Sequence, residues 1–311
     1  MLTDPRESCV VSSLAWVDGG ALWILDVASA RSRLAPLSEA KHLTLHAGKS
    51  GHFAVVHHYD DDRLEITAHS FADPAAILSR GIVAGDSRSI EGPLSPWSHL
   101  PRHYIAHLAQ RARVGYALVS IDEAQGLVLQ KFERYDSAYD KGYQGIVGVA
   151  EVPDSHLLLI AVQRSSKVIV YDPQALRQVG SFVLCGRHGN PTLKFRSSAH
   201  ELWAVDYDTI TKVEPDSWGV LKSRRLQGAS RGTAQFIGSF SFDAHETLCA
   251  VARPFSGDIV GLDPKTLRTR YRAKLGGQPI EVALLGEHRV FARDWKSGSL
   301  LTGKLRRVWF G

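Results

Sequence analysis

The sequence predicts an all-β chain, a single β-propeller domain over residues 1–311 with seven four-stranded antiparallel blades, and three observations predict it. A polar turn leading into an apolar run recurs as "PDSHLLLIAV" (153–162), "SSAHELWAV" (197–205), "DAHETLCAV" (243–251) and "GEHRVFA" (286–292). The histidines at 156, 200, 245 and 288 are 43–45 residues apart, close to the roughly 40–45 residues of a four-stranded blade. A second phrase keeps the same period: "VIVYDPQALRQV" (168–179) returns two repeats later as "IVGLDPKTLRTR" (259–270), with "TKVEPDSWGVL" (211–221) between them. Finally, "LLLIAVQ" and "KVIVYD" are continuously apolar rather than alternating, as expected of strands covered on both faces.

From the N-terminus, "DGGALWILDV" (18–27) and "KSGHFAVVHH" (49–58) open the first two units, and "RVGYALVSID" (113–122) opens the third more loosely. The preceding "RHYIAHLAQRARV" (102–114) reads as a helical turn or an inner strand. Between the second and third units lies "VAGDSRSIEGPLSPWSHLPRH" (83–103), rich in Gly, Ser and Pro, with Trp97 embedded. Long connections without structure of their own tend to be functional, so this one is expected to form a lid over the channel mouth. The fourth unit, from about 145 to 184, divides into "GIVGVAEV", "LLLIAVQ", "KVIVYD" and "RQVGSFVL". Its Asp-Pro turn is sound: proline presets φ and aspartate bonds back to the backbone. The seventh unit, with "IEVALLG", "RVFARDW" and "LLTGKLRRVW", runs out one strand short at Gly311. The apolar "SCVVSSL" (8–14) is the surplus strand expected to complete that blade and close the ring.

The segments "VLCGRHGNPTLKFRSSAHELWAVD" (183–206), "VIVYDPQALRQVGSF" (168–182) and "AKLGGQPIEVALLGEHRVFA" (273–292) resemble those of YVTN-type and WD40-like seven-bladed propellers. A glycine-rich turn and a proline enter the inner strand, and an aspartate ends the third strand. The resemblance covers roughly 140–310; the Tyr-Val-Thr-Asn strand itself is replaced by "LLLIAVQ" and "ELWAVD". It implies architecture, while propellers serve as scaffolds, lactonases, lyases and redox enzymes, so function must come from the site.

Composition narrows the classes. The net charge of +5 is modest for 311 residues, and the basic runs "KSRR" (222–225), "RTRYRAK" (268–274) and "KLRR" (304–307) fall at blade ends. There, charge guards exposed edge strands, so nucleic acid is not an expected partner. No apolar run reaches the roughly 18 residues of a membrane span, and no secretory signal is visible. Cys9, Cys185 and Cys249 are odd in number and far apart, which gives neither a disulfide framework nor a metal pair. The expectation is a monomeric cytoplasmic protein.

The four repeated histidines fall in turns between first and second strands, on one face of the ring, where neighbours stand too far apart to share a metal at about 2.0–2.1 Å. They read as turn residues. The opposite face is built from second-to-third strand loops and inter-blade connections. Its candidate binding residues are Gln163, Arg164, Asp206, Tyr207, Arg253 and His188, with Trp97 from the lid. Asp26, His57, Asp60, Asp122 and Asp294 are the candidate ligands of a divalent metal such as Ca²⁺; no other cofactor is expected. Two functions follow. The first is a non-enzymatic scaffold binding a partner protein or an anionic small molecule on the loop-rich face. The second is a lactonase- or lyase-like hydrolase using carboxylates and histidine at the same mouth.

Overall fold

A computed structural model describes strand backbones between residues 13 and 134. It also describes most of 146–308, except 154, 163–165, 173, 176, 186–190, 227–235 and 287; side chains are described from residue 150 onward. Seven antiparallel sheets are present among the described residues. The first holds β1 (Ser13–Asp18), β2 (Ala21–Asp26) and β3 (Arg31–Pro36). The second holds β4 (Ala40–Gly48), β5 (Gly51–Asp60), β6 (Arg63–Ser70) and β7 (Ile77–Ala84). The third holds β8 (Ser95–Trp97), β9 (His103–Gln110), β10 (Arg113–Asp122) and β11 (Gly126–Arg134). The fourth holds β12 (Ile146–Glu151), β13 (Leu158–Val162), β14 (Lys167–Asp172) and β15 (Arg177–Val183). The fifth holds β16 (Thr192–Arg196), β17 (Glu201–Asp206), β18 (Thr209–Val213) and β19 (Val220–Arg225). The sixth holds β20 (Phe240–Phe242), β21 (Cys249–Arg253), β22 (Asp258–Leu262) and β23 (Thr269–Lys274). The seventh holds β24 (Pro279–Leu285), β25 (Arg289–Asp294) and β26 (Leu300–Lys304).

Each sheet is a meander, and the first strands of successive sheets touch: β1 meets β4, β4 meets β8, β8 meets β12, β12 meets β16, and β20 meets β24. First strands are therefore innermost and last strands outermost. The core lies between sheets. Leu159, Ala161, Val168 and Val170 of the fourth pack on Leu193, Leu202 and Ala204 of the fifth. Trp203, Val205 and Ile210 of the fifth pack on Phe240, Cys249 and Val251 of the sixth. Ala250, Ala252 and Ile259 of the sixth meet Val282, Leu284 and Val290 of the seventh. This double-sided burial explains the continuously apolar runs: Leu158, Leu159, Ile160 and Ala161 of β13 and Val168, Ile169, Val170 and Tyr171 of β14 are all buried.

The recurring turns lie at first-to-second strand hairpins. His200 and His288 hold left-handed backbone there, at φ 48 and 65, and His156 Nε2 lies 3.3 Å from Asp172 Oδ2 of its own sheet. On this face the sheets are tied together as well. The Glu246 carboxylate accepts bonds from the Ser197 and Ser198 N–H groups at 3.0 and 2.7 Å. Among the described residues no helix is long and apolar enough to cross a membrane.

Three expectations change in detail. Residues 83–103 are not all connection: Ser95–Trp97 forms β8 and pairs with β9, Trp97 opposite His103, so Trp97 belongs to a sheet and not to a loop. The stretch 102–114 resolves into β9 and the start of β10 rather than a helical turn. The C-terminal "KLRR" does not stay in the seventh sheet. After β26 the chain crosses over at Leu305, which is 2% exposed, and β27 (Arg306–Arg307) pairs with Tyr271 and Arg272 as a fifth strand of the sixth sheet. Of the expected closing segment, Ser13 and Leu14 open β1, and the rest lies outside the described residues.

Candidate functional site

The face opposite the histidine turns is assembled by hairpins that the inter-blade connections tie down. After β17, the two-residue turn Tyr207–Asp208 reverses the chain, with Tyr207 at φ 54. Leu226 N donates to Asp208 O and Ile237 N to Tyr207 O, at 2.8 and 2.7 Å. The connection leaving the fifth sheet thus departs from this turn and returns to it, setting Phe236 beside Tyr207. After β21, Pro254 is buried and starts a single 3-10 turn that ends at Gly257, φ 62. The turn lifts Phe255 into solvent at 55% exposure.

After β25, Asp294 organises the next turn. Its Oδ1 accepts the Lys296 and Ser297 N–H groups, both at 2.8 Å, and Oδ2 accepts Gln278 N at 2.7 Å. These backbone bonds, Ser297's foremost, hold the Asp294 carboxyl below the usual aspartate range. Gly277 permits the arrangement, since a Cβ there would lie 2.2 Å from Asp294 Oδ2. Trp295, whose N–H donates to Gln278 O at 2.8 Å, is left 49% exposed.

The four rings meet. Phe236 is central, with centroids 6.1 Å from Tyr207, 6.3 Å from Phe255 and 6.0 Å from Trp295, and Phe255 lies 6.1 Å from Trp295. All four pairs are tilted, an arrangement the ring quadrupoles favour at 4.5–7 Å. Loops from three consecutive sheets therefore build one aromatic platform with two half-exposed rings.

The charged groups around it are largely committed. The Arg253 guanidinium grips Asp258 through two bonds, Nε at 2.8 Å and Nη2 at 2.7 Å, and Asp258 is wholly buried. Arg293 pairs with Glu281 at 2.8 Å. Asp206, 1% exposed, accepts the Ser166 hydroxyl of the preceding sheet at 2.7 Å. Cys249, at the far end of β21, is buried in the core, and burial pushes its thiol well above the usual range.

Of the residues read from the sequence, Asp206, Tyr207, Arg253 and Asp294 lie on this one face. Gln163, Arg164 and His188 lie outside the described residues. Asp26 and Asp60 are the last residues of β2 and β5, second strands of their sheets, the position held by Asp206 and Asp294; Asp122 departs from the expectation, since it ends β10, the third strand of its sheet. His57 sits within β5, opposite His42 and Ile66. Among the described residues no group of three or more His, Cys, Asp and Glu side chains is placed to hold a metal ion. Phe236, Phe255 and Trp295 were not anticipated. A signal for two of them existed: Tyr207 and Trp295 directly follow the end of a second strand, and Phe255 follows one residue later.

No family model and no curated protein matches the chain. Solved structures do. The β-propeller domain of Cps50 (Swd1) from Myceliophteria thermophila is similar at TM-score 0.69 and 14% identity, covering 95% of this chain and 94% of that one. Kuenenia stuttgartiensis hydrazine synthase is similar at TM-score 0.70 and 12% identity, over 97% and 94%. The periplasmic gluconolactonase PpgL of Pseudomonas aeruginosa is similar at TM-score 0.66 and 18% identity, over 93% and 94%. At such identities the likeness shows the fold, a β-propeller.

Proposed function

We propose that this chain is a closed seven-bladed propeller scaffold that captures a partner protein on its loop-rich face, through the Tyr207–Phe236–Phe255–Trp295 platform. The observation that carries the reading is the joint exposure of Phe255 and Trp295 on rings pinned from below by Phe236. Aromatic residues preset by rigid loops lose little entropy on docking and dominate binding at protein interfaces. Arg253 contributes indirectly, its bond to Asp258 anchoring the base of the Phe255 turn; Arg164 and His188 are the further candidate contacts that the sequence suggests. One similar structure is a gluconolactonase, so the fold alone does not decide between binding and catalysis. The scaffold reading takes precedence because Asp294, the metal candidate with a described side chain, already spends both oxygens on backbone N–H groups.

The test is capture of a partner on the immobilised chain, followed by affinity measurement with that partner purified. Trp295→Ala and Phe255→Ala should each weaken binding at least about thirtyfold, the scale of a 2 kcal/mol hot spot, with the melting temperature unchanged. A partner bound equally well by both variants would refute the platform. Thermal stabilisation by added Ca²⁺, reversed by EDTA, would favour the metal-dependent hydrolase instead.

A further inference from the structure

The three basic runs that the sequence scatters are gathered by the fold onto one rim. Segment 220–225 carries three basic residues, 268–274 four and 304–307 three, and none carries an acid. The first is β19, the outermost strand of the fifth sheet; the second includes β23, outer strand of the sixth; the third ends in β27, which pairs with β23. The β19 and β23 walls are physically joined, since Arg224 Nη1 donates to the Leu267 carbonyl at the turn before β23. Arg224 is partly buried at this junction, and burial, then the neighbouring Arg268, pull its pKa below its usual value.

Edge protection alone does not account for such density. At Tyr271 and Arg272, β23 is no longer an edge, because β27 covers it. Arg306 is moreover placed directly opposite Arg272, and like charges opposed across a strand pair destabilise it. The nearby carboxylates are few and occupied. Asp258 serves both Arg253 and Arg272, Asp208 serves Arg225, and Asp263 serves Arg270. Lys222, Arg268, Lys274 and Arg306 are exposed, and no carboxylate among the described residues pairs with them.

We propose that the outer rim of the fifth and sixth blades, extended by β27, binds the phosphate backbone of nucleic acid without reading its sequence. A dense basic patch is the electrostatic footprint of such a partner, and it forms only once β27 is laid against β23. Arginine outnumbers lysine in the three segments, and its planar fork matches phosphate oxygens two at a time. A phosphodiester chain carries a charge on every residue, so a single strand can meet all three runs in turn. Among the described residues the neighbouring aromatics are engaged elsewhere: Tyr271 packs on His288 at 4.5 Å, and Trp218 stacks on Phe182 at 5.2 Å. The proposed binding rests on charge.

Titration of the full chain with a fluorescein-labelled oligothymidylate tests this. With about four phosphates engaged, the single-strand slope of about 0.7 per contact predicts roughly fiftyfold weaker binding on raising salt from about 50 to about 200 mM. The triple variant Lys222→Glu/Arg268→Glu/Arg306→Glu should lose binding at an unchanged melting temperature. Should that variant fail to fold, single changes to Gln must each lower the salt slope by about 0.7. Trp295→Ala should leave oligonucleotide binding intact, which separates this rim from the loop-face platform. No binding at about 50 mM salt, or binding that survives the charge reversals, would overturn the proposal. So would capture of poly-glutamate or of anionic phosphatidylserine vesicles by the rim with none of the oligonucleotide, which would assign it to an acidic protein or to a lipid surface.

Discussion

Asp294 shows how one side chain can both look like a ligand and serve a turn. As a sequence letter it belongs to a set of aspartates at the ends of second strands, which is where a metal-binding mouth would place them. In the structure, three backbone N–H groups converge on its two oxygens and fix the turn that presents Trp295. Its folded pKa lies below the ordinary 3.8. The ion is thus favoured in the folded state, and the stability it adds is present above that ordinary value and lost as pH falls through the folded one. Asp294→Asn should therefore melt below the wild type at pH 7, with the gap narrowing once the pH drops below about 4. Melting curves on both proteins from neutral to acid pH check this; a gap independent of pH would assign the residue no role as an anion. What the sequence could not convey is which lone pairs were already taken. That depends on Gly277 letting the Gln278 N–H approach from the connection that precedes β24.

At the scale of elements, the two middle strands of the fourth unit were legible because two-sided burial leaves a clear mark, an unbroken apolar run. The C-terminal crossover left none. β27 has two residues, too few for any periodicity, and its place is decided by Leu305. That side chain is 2% exposed and packs with Ala250, Ala273 and Val290 in the core between the sixth and seventh sheets, while its N–H donates to His288 O at 2.9 Å. Leu305 therefore acts as a pin between two blades, and the arginines after it are carried onto β23. Leu305→Ala should cost about 2–5 kcal/mol, the range for buried leucine truncations. It should also weaken oligonucleotide binding, because the rim loses the strand that brings Arg306 beside Arg272. Denaturant unfolding with a parallel salt titration reads both effects; a destabilised variant with an unaltered salt slope would detach β27 from the rim.

At the scale of the whole molecule, the repeat period predicted the propeller because the turns at His156, His200, His245 and His288 each mark the first-to-second hairpin of their sheet, whereas the looser turn before Arg113 lies between the second and third strands of the third. The openings of the first three units, near residues 19, 51 and 113, make one short step of about 32 residues and one long step of about 62. The short one spans a first sheet of three described strands, and the long one includes the span between Ala84 and Ser95. The period does not encode how the ring ends meet, since closure joins segments far apart in sequence with no repeat to mark them. The first and seventh sheets each hold three described strands, and β27 leaves the seventh to join the sixth. We propose that the segment before β1 supplies the missing outer strand beside β26, so that the two ends are bound by one strand. The stability of such a ring depends on that strand more than its length suggests, because its loss frees both terminal blades to separate. Deleting residues 1–12 should then lower the melting temperature by about 5 °C, a few kcal/mol for a domain of this size. Adding Leu305→Ala to the deletion should lower it further than the two separate losses combined, because Leu305 pins the seventh blade that the closing strand also holds. A deletion variant as stable as the full chain would mean that the first and seventh sheets close by direct packing, without the N-terminal strand.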